Sequence, residues 1–164
     1  MKLLSLFITL LCVTFTTSAQ NNIISLQASG LTCSMCSNSI NKSLKTLPFV
    51  ESIKANIKTS TFDIAIKPGA VADYDLMKKK VEDAGFFVAK FLITVPFSEK
   101  DAKPNTTVSF QDKRLRIINS SPAKNISGDK QVRIVSKGFL SAKEAKKLKI
   151  PSSSTASKEY YATI

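Results

Sequence analysis

The sequence predicts an α+β protein whose first part alternates four strands with two helices and whose last part is a smaller module rich in strands. Three observations predict this: runs in which every second residue is apolar, two stretches with apolar residues at helical spacing, and a change to a polar, charged composition after Val95. Alternating runs are typical of strands with one buried face. Apolar residues three and four positions apart are typical of helices that pack one face on a core.

Four strands can be assigned in the first part of the chain. They are expected at residues 23–28, 52–57, 62–66 and 87–95. In the second strand, Ile53, Ala55 and Ile57 are expected on the buried face. The polar connection Lys58-Thr59-Ser60 joins the second and third strands and suits a hairpin.

Two amphipathic helices fall between these strands. The first carries an apolar stripe made of Cys36, Ile40, Leu44 and Leu47. The second begins after Asp73, a residue type that caps helix N-termini, and ends at Gly85. The resulting order, β-α-β-β-α-β, is the split βαβ or ferredoxin-like arrangement. The first part of the chain is therefore predicted to adopt that fold.

Two cysteines, Cys33 and Cys36, lie on the loop that ends the first strand and opens the first helix. The N-terminus of a helix carries partial positive charge, which favours thiolate over thiol. Two thiolates three positions apart can converge on one soft metal ion. The chain has no histidine, and its third cysteine, Cys12, falls in a segment expected to be removed, so the tetrahedral set that zinc prefers is incomplete. Two sulfur ligands favour Cu(I), with Hg(II), Ag(I) and Zn(II) left open.

The segment Gly30-Leu31-Thr32-Cys33-Ser34-Met35-Cys36 resembles the G-M-T-C-x-x-C signature of heavy-metal-associated (HMA) domains. The resemblance runs from about residue 23 to residue 95 and includes the turn at residues 47–50 and the helix end at residues 81–86. Copper metallochaperones, metal-binding domains of P-type ATPases and a periplasmic mercury-binding protein share this signature. The resemblance implies a ferredoxin-like fold, metal ligation by Cys33 and Cys36, and metal transfer to a partner site through shared three-sulfur intermediates.

Three apolar side chains near the loop have expected roles under the same resemblance. Leu31, where the family usually has methionine, is expected to tether the loop to the core. Met35, between the cysteines, is expected to point to solvent rather than to bind metal. Phe86 is expected either to form an apolar lid over the metal or to pack ordinarily against the core.

Residues 1–19 are expected to form a secretory leader. Lys2 supplies the positive start, residues 3–13 supply the apolar centre, and Thr17-Ser18-Ala19 supplies the small residues of a cleavage site. The apolar run is shorter than the roughly 20 residues that a membrane-spanning helix needs, so no stable membrane insertion is expected. The mature protein is therefore predicted to be exported, to a bacterial periplasm or to the medium.

The rest of the chain is predicted to form an HMA domain at residues 20–96, a linker at 97–105 and a small basic β-rich domain of unknown role at 106–164. In this last domain we expect strands at residues 106–110, 114–118, 132–135 and 160–164, and a helix at 141–148. A partly open barrel is the expected arrangement. The domain has no thiol, no histidine and no motif typical of catalysis, so the protein is predicted to be a binding protein and not an enzyme.

The chain is strongly basic, with a formal net charge of +12 and an isoelectric point of about 9.7. Lys42, Lys45 and Lys78-Lys79-Lys80 lie on the two predicted helices. These lysines form either a solvated face or a surface that steers an acidic protein partner. Nucleic acid is not expected as a partner, because basic and aromatic residues do not interleave. The sequence does not indicate an oligomeric state.

Three other functions compete with copper transfer. Mercury(II) capture would use the same two sulfurs. A thiol-disulfide oxidoreductase would also place a C-x-x-C pair at a helix start, but no aromatic residue directly precedes Cys33 and no proline lies between the cysteines. In the third alternative, the C-terminal domain is the functional part and the HMA unit is a sensor or anchor. A purely structural disulfide between Cys33 and Cys36 would close a very small loop and would stabilise the fold little.

Overall fold

The computed structural model describes residues 22–31, 33–98, 106–118, 128–140, 144 and 158–164. The leader predicted at residues 1–19, most of the linker predicted at 97–105 and the helix predicted at 141–148, apart from Glu144, lie outside these ranges. No helix in the described ranges is long and apolar enough to cross a membrane.

Two helices and eight strands form the described part of the chain. The first part consists of β1 (Ile23–Ser29), α1 (Ser34–Lys45), β2 (Val50–Asn56), β3 (Thr61–Ile66), α2 (Tyr74–Asp83) and β4 (Phe87–Phe97). The last part consists of β5 (Thr107–Phe110), β6 (Lys113–Ile117), β7 (Gly128–Ile134) and β8 (Glu159–Thr163). The order of the first six elements confirms the predicted ferredoxin-like fold, and the last four confirm a β-rich module.

All eight strands belong to one sheet, in the order β2-β3-β1-β4-β7-β8-β6-β5. The last module joins the sheet through β7, which pairs antiparallel with β4 from Leu92 to Phe97. β8 then lies between β7 and β6, antiparallel to the first and parallel to the second. In the described ranges the sheet has free edges at β2 and β5. The last module is therefore not the separate, partly open barrel that the sequence predicts, because its described strands extend the sheet of the first part.

The length of β4 explains why the last module extends the sheet. β4 has 11 residues, but β1 pairs with it only as far as Ile93. The second half of β4 carries Val95 and Phe97, which are both buried. Without a neighbour, the backbone groups of this half would form an exposed sheet edge. β7 forms hydrogen bonds with them from Leu92 to Phe97. The domain boundary predicted at residues 97–105 stays a prediction, since residues 99–105 lie outside the described ranges.

One hydrophobic core lies between the sheet and the two helices. Its fully buried members include Leu26, Phe62, Phe91, Ile40, Leu44, Met77 and Val81. Asp73 caps α2 as predicted, because its Oδ1 atom accepts a hydrogen bond of 2.9 Å from the Leu76 N–H. The two helices are joined by the Ser43 hydroxyl, which donates to the Lys80 carbonyl at 2.8 Å.

The outer strand β2 differs from the prediction. Ile53 is only half-buried, Ala55 is exposed, and Ile57 lies in the turn after the strand with 55% of its surface exposed. A register shift between Val50 and Ser52 interrupts the pairing of β2 with β3. β2 is also an edge strand, so no further strand of the described ranges pairs with its outer side. The prediction of a half-buried face along this strand was wrong beyond Ile53.

An aromatic cluster joins the last module to α2. The ring of Tyr74 lies 5.1 Å from that of Phe91 and 5.3 Å from that of Tyr160, and Phe91 lies 5.2 Å from Phe139. The Tyr160 hydroxyl donates a hydrogen bond of 2.7 Å to Asp75 Oδ2. Burial raises the pKa of Tyr74 and of Tyr160, and the hydrogen bond to Asp75 raises the latter further, so both phenols stay protonated. The two parts of the chain therefore share one core.

A buried lysine completes this contact between β6 and α2. Lys113 is 4% exposed, its ammonium group donates to Asp112, and its Nζ lies 4.8 Å from the centroid of the Tyr74 ring. Lys158 also pairs with Asp112, at 2.9 Å between Nζ and Oδ2. Hydrogen bonds from the two lysines lower the pKa of Asp112 to about 2. The buried cation thus has both a carboxylate partner and an aromatic face.

We predict that Phe139→Ala destabilises the whole protein. Phe139 is 1% exposed and packs in the aromatic cluster, so its removal should lower the free energy of unfolding by about 3–5 kcal/mol. Urea unfolding followed by circular dichroism measures this change. Phe87→Ala is the matched control, because Phe87 is 69% exposed and its loss should change stability by less than about 0.5 kcal/mol. An unchanged midpoint for Phe139→Ala would contradict the shared core.

Candidate metal centre

The loop between β1 and α1 begins in the left-handed region of backbone conformation. Gly30 has φ = +85°, where a residue with a side chain would be strained. Leu31 follows, half-buried and packed against the core, which fits the tether expected of it. Thr32 lies outside the described residues. The chain thus turns away from the sheet and is held against the core just before Cys33.

Cys33 occupies the N-cap of α1. Its backbone is extended, with φ −146° and ψ 159°. Its sulfur accepts a hydrogen bond of 3.3 Å from the Cys36 N–H, and its carbonyl accepts one of 3.4 Å from the Ser37 N–H. The first turn of α1 contains no acidic residue. The partial positive charge of the helix N-terminus is therefore not neutralised within the helix, and it favours a thiolate at this position.

The structure brings Cys33 and Cys36 together. They are bonded as a disulfide, with Cα atoms 5.4 Å apart. Cys33 is exposed and Cys36 is half-buried. Because the first turn of α1 sets this Cα separation, the two sulfurs remain neighbours when the bond between them is reduced. Metal ligation by these two residues stays a prediction.

The available donor groups fit a soft ion of low coordination number. Within the described ranges, no group of three or more histidine, cysteine, aspartate or glutamate residues is placed to hold a metal ion. The whole sequence lacks histidine. Two sulfurs alone suit Cu(I) and do not complete the tetrahedron of zinc. The side chain of Met35 is 79% exposed, as expected for a residue that points to solvent.

Phe86 lies against the start of the loop. Its N–H donates to the Val81 carbonyl at 3.1 Å, just after α2 ends. Its Cδ1 atom is 3.9 Å from the position that a Cβ on Gly30 would occupy. The side chain is half-buried and packs on the core. This position is compatible with both roles considered for Phe86, the apolar lid and the ordinary core residue.

The three consecutive lysines of α2 do not form one surface. Lys78 is withdrawn from solvent, with its Nζ 3.4 Å from Asp75 Oδ1 and 5.3 Å from the centroid of the Phe139 ring. Lys79 is exposed and Lys80 is half-buried. The expectation that Lys78 belongs to a solvated or steering face was therefore wrong. Helical spacing signals the pair with Asp75, which lies three positions before Lys78. The sequence carries no signal for the contact with Phe139, because that contact depends on where the last module docks.

A pocket of about 430 Å³ opens next to the loop, and no sequence pattern predicted it. β1 and β4 contribute Ser29, Phe87 and Ala89 to its walls, and the segment after β7 contributes Gly138 and Leu140. These segments are far apart in the chain. Only the pairing of β7 with β4 brings them to the same end of the sheet.

Residues 25–87 match the family model described as the heavy-metal-associated domain. This segment of the chain belongs to the heavy-metal-associated domain family. The matched range includes both cysteines and supports metal binding, whereas β5 to β8 lie outside it. A comparison with curated protein sequences gives no match.

Three solved structures are similar to the HMA domain. A protein from Bacillus anthracis strain Ames, described as copper-ion-binding, is 30% identical, with 43% of this chain and 99% of that one covered and a TM-score of 0.38. The copper-binding domain of HMA7, a P-type ATPase, is 31% identical, with 40% and 86% covered and a TM-score of 0.36. The yeast copper transporter domain Ccc2a is 30% identical, with 41% and 90% covered and a TM-score of 0.36.

We predict that folding of the protein does not need a metal. Cys33 is exposed and Cys36 is half-buried, so the sulfurs contribute little to the core. The far-ultraviolet circular dichroism of the reduced protein should be the same with and without Cu(I). The oxidised protein, with its disulfide intact, serves as the folded reference. Unfolding on addition of a chelator, as metal-dependent zinc fingers show, would contradict this expectation.

Proposed function

We propose that the protein is a carrier, not an enzyme, that binds Cu(I) between the thiolates of Cys33 and Cys36 and passes it to a partner protein outside the cytoplasm. The observation that supports this most directly is the pair of neighbouring sulfurs at the start of α1, with no third ligand group near them in the described ranges. The membership of residues 25–87 in the HMA family supports the same proposal.

The choice of metal follows from the chemistry of two sulfurs. Soft thiolate ligands select Cu(I), which accepts two or three ligands, whereas a closed zinc site needs four. Ag(I) and Hg(II) are also soft and compete for the same pair. We therefore propose Cu(I) as the physiological cargo and expect Ag(I) and Hg(II) to compete with it for this site.

Copper binding requires reduction of the disulfide first. The Cys33–Cys36 bond takes up two electrons and two protons to give two thiols, and a dithiol reductant supplies both and becomes a disulfide itself. When Cu(I) binds, the two thiols lose their protons and each sulfur donates an electron pair to the metal. The positive end of α1 assists this step because it favours the thiolate form.

Transfer to the partner follows from the unequal exposure of the two sulfurs. Cys33 is exposed and Cys36 is half-buried, so an incoming thiolate of the partner meets the Cys33 side of the site first. A metal bound by only two sulfurs can accept this third one before either of its own leaves. The cargo then moves without being released into water.

The first test of the proposal is loss of Cu(I) affinity in Cys33→Ser and in Cys36→Ser. Each change removes one of the two ligands. Loss of a hydrogen-bond partner of a metal ligand alone lowers metal affinity by up to about 100-fold. The Cu(I) affinity of the reduced protein should therefore fall by at least about 100-fold. Competition with a chromogenic Cu(I) chelator measures it. Met35→Ala is the matched control and should bind normally, because the Met35 thioether is exposed. Near-native affinity in either serine variant would refute the two-thiolate site.

A second candidate function is thiol-disulfide exchange, which the exposed disulfide at a helix N-terminus favours. An oxidoreductase of this kind accelerates the reduction of a protein disulfide by dithiothreitol. If the protein is a carrier, it should accelerate this reduction no more than the same concentration of free thiols does. Catalytic acceleration that is lost in Cys33→Ser would favour this second function.

The proposed partner is an acidic protein domain, steered by lysines on the outer faces of the helices. Lys42 and Lys45 lie in the last turn of α1, and Lys79 is exposed on α2. Lys42 is six residues beyond Cys36, which places it about 9 Å from the site along the helix axis. At that distance the ammonium group does not contact the metal, whereas its charge acts on an approaching partner, since the Debye length is about 10 Å at 0.1 M salt.

The steering proposal predicts a kinetic effect that depends on salt. Replacing Lys42, Lys45 and Lys79 by glutamine should slow copper transfer to a negatively charged HMA domain by about three- to tenfold in dilute buffer. The difference should shrink as salt is added, and Cu(I) affinity should not change. Stopped-flow absorbance measures the transfer rate.

The control for this experiment removes the same charge from the sheet. The variant with Lys54, Lys90 and Lys130 replaced by glutamine loses three positive charges from the strands instead. It should transfer copper at nearly the wild-type rate. Equal slowing of both triple variants would mean that total charge, and not the helical lysines, sets the rate.

A further inference from the structure

The pocket beside the loop between β1 and α1, which we call the cysteine loop, is about 430 Å³ in volume. Residues from both parts of the chain line it. Ser29 and Phe87 come from the ends of β1 and β4 that lie nearest to the cysteines. Gly138 and Leu140 come from the segment after β7. A cavity of this size can take a small molecule or a large side chain with its neighbours.

Buried contacts position the wall that the last module contributes. Gly138 has φ = +87°, and a Cβ there would be strained and would lie 2.9 Å from Lys78 Nζ. The next residue, Phe139, is 1% exposed and packs against Phe91. Leu140 follows directly and lines the pocket. The wall is therefore held in place by the core.

Exposed apolar side chains concentrate at this end of the molecule. In the described ranges, the three most exposed large apolar side chains are Met35 at 79%, Phe87 at 69% and Ile57 at 55%. Met35 lies in the first turn of α1, and Phe87 lines the pocket. Ile57 opens the turn that follows β2; in this turn the Ser60 carbonyl accepts a 3.0 Å hydrogen bond from Ala28 of β1. Apolar groups gathered on one surface mark an interaction site.

The described residues that line the pocket include two carboxylates, although the net charge of the chain is +12. The described lining of the pocket includes Glu82 and Glu144 and no lysine or arginine. Glu144 is neutralised by Arg133, whose Nη2 lies 3.0 Å from Oε1, and the nearby ammonium group of Lys78 is paired with Asp75. Glu82 is exposed and forms no ion pair within the described ranges. Of the two carboxylates in the described lining, Glu82 is therefore the one that has no ion pair among the described residues.

We propose that this pocket takes an arginine side chain of the domain that exchanges metal with the two cysteines, so the inference rests on the proposed function. The guanidinium group pairs with Glu82 and stacks on the exposed ring of Phe87, and the aliphatic stem packs on Val88 and Leu140. Arginine suits the site because its planar, weakly hydrated cation stacks on aromatic rings and is common at interface hot spots. This contact holds the partner next to the cysteine loop.

The test uses the reduced, copper-free protein and two small probes. N-acetyl-arginine N-methylamide carries the cation, and N-acetyl-citrulline N-methylamide has nearly the same shape without the charge. In a nuclear magnetic resonance titration, the arginine probe should shift the amide signals of Phe87, Val88 and Leu140 and bind at least about threefold more tightly than the citrulline probe. Equal binding of the two probes, or shifts confined to other surfaces, would overturn the proposal.

Two variants and a matched control locate the contact. Glu82→Gln and Phe87→Ala should each weaken binding of the arginine probe about two- to fivefold, as expected for an exposed ion pair and an exposed cation–π contact. Asp83→Asn removes the neighbouring exposed carboxylate, which does not line the pocket, and should leave binding unchanged. If Asp83→Asn weakens binding as much as Glu82→Gln, a general negative field is responsible and the proposal is wrong.

Copper affinity separates this inference from the proposed function. Both pocket variants keep the two cysteines, so competition with a chelator should give the wild-type Cu(I) affinity. Absence of Cu(I) binding in the wild-type protein would refute the proposed function even if the arginine probe binds as expected. Normal Cu(I) binding without a preference for the arginine probe would refute the pocket alone.

Discussion

Strand β4 is hydrogen-bonded on both edges, and this double pairing determines where the other parts of the molecule lie. On one edge it pairs with β1 from Phe87 to Ile93, and on the other with β7 from Leu92 to Phe97. Both neighbours run antiparallel to β4. The end of β1, the start of β4 and the segment after β7 therefore lie at the same end of the sheet. The cysteine loop and the last module meet there although they are far apart in sequence.

Helix α2 is held from two sides as a result. Its inner face packs on the core through Met77 and Val81, and its first turn is joined to β8 by the hydrogen bond between Tyr160 and Asp75. The helix ends just before Phe86, the residue that packs beside the cysteine loop. Helix α2 thus connects the last module with the residue that packs beside the cysteine loop.

The first six elements, and the position of the two cysteines at the start of α1, could be predicted because each depends on a pattern within its own segment. Alternation marks β1 and β3, helical spacing marks α1, and the Asp73 cap marks the start of α2. The pairing of β7 with β4 could not be predicted, since contacts between distant strands leave no periodic signal in either one. The position of Lys78 could not be predicted for the same reason, because Phe139, which its ammonium group contacts, lies in the segment after β7.

The exposure of Cys33 has two opposite consequences for a carrier. An exposed thiolate can be reached by a partner, but it can equally be reached by an oxidant, and the disulfide with Cys36 is the product of that second reaction. Under the proposed function, Cu(I) would bind to the same two sulfurs that form the disulfide, so each state excludes the other. In an oxidising compartment, where disulfides persist, the loaded protein is protected and the empty protein depends on a reductant. If the protein carries Cu(I) outside the cytoplasm, as we propose, the amount of working carrier should follow the balance between copper supply and the rate at which the empty cysteine pair is oxidised.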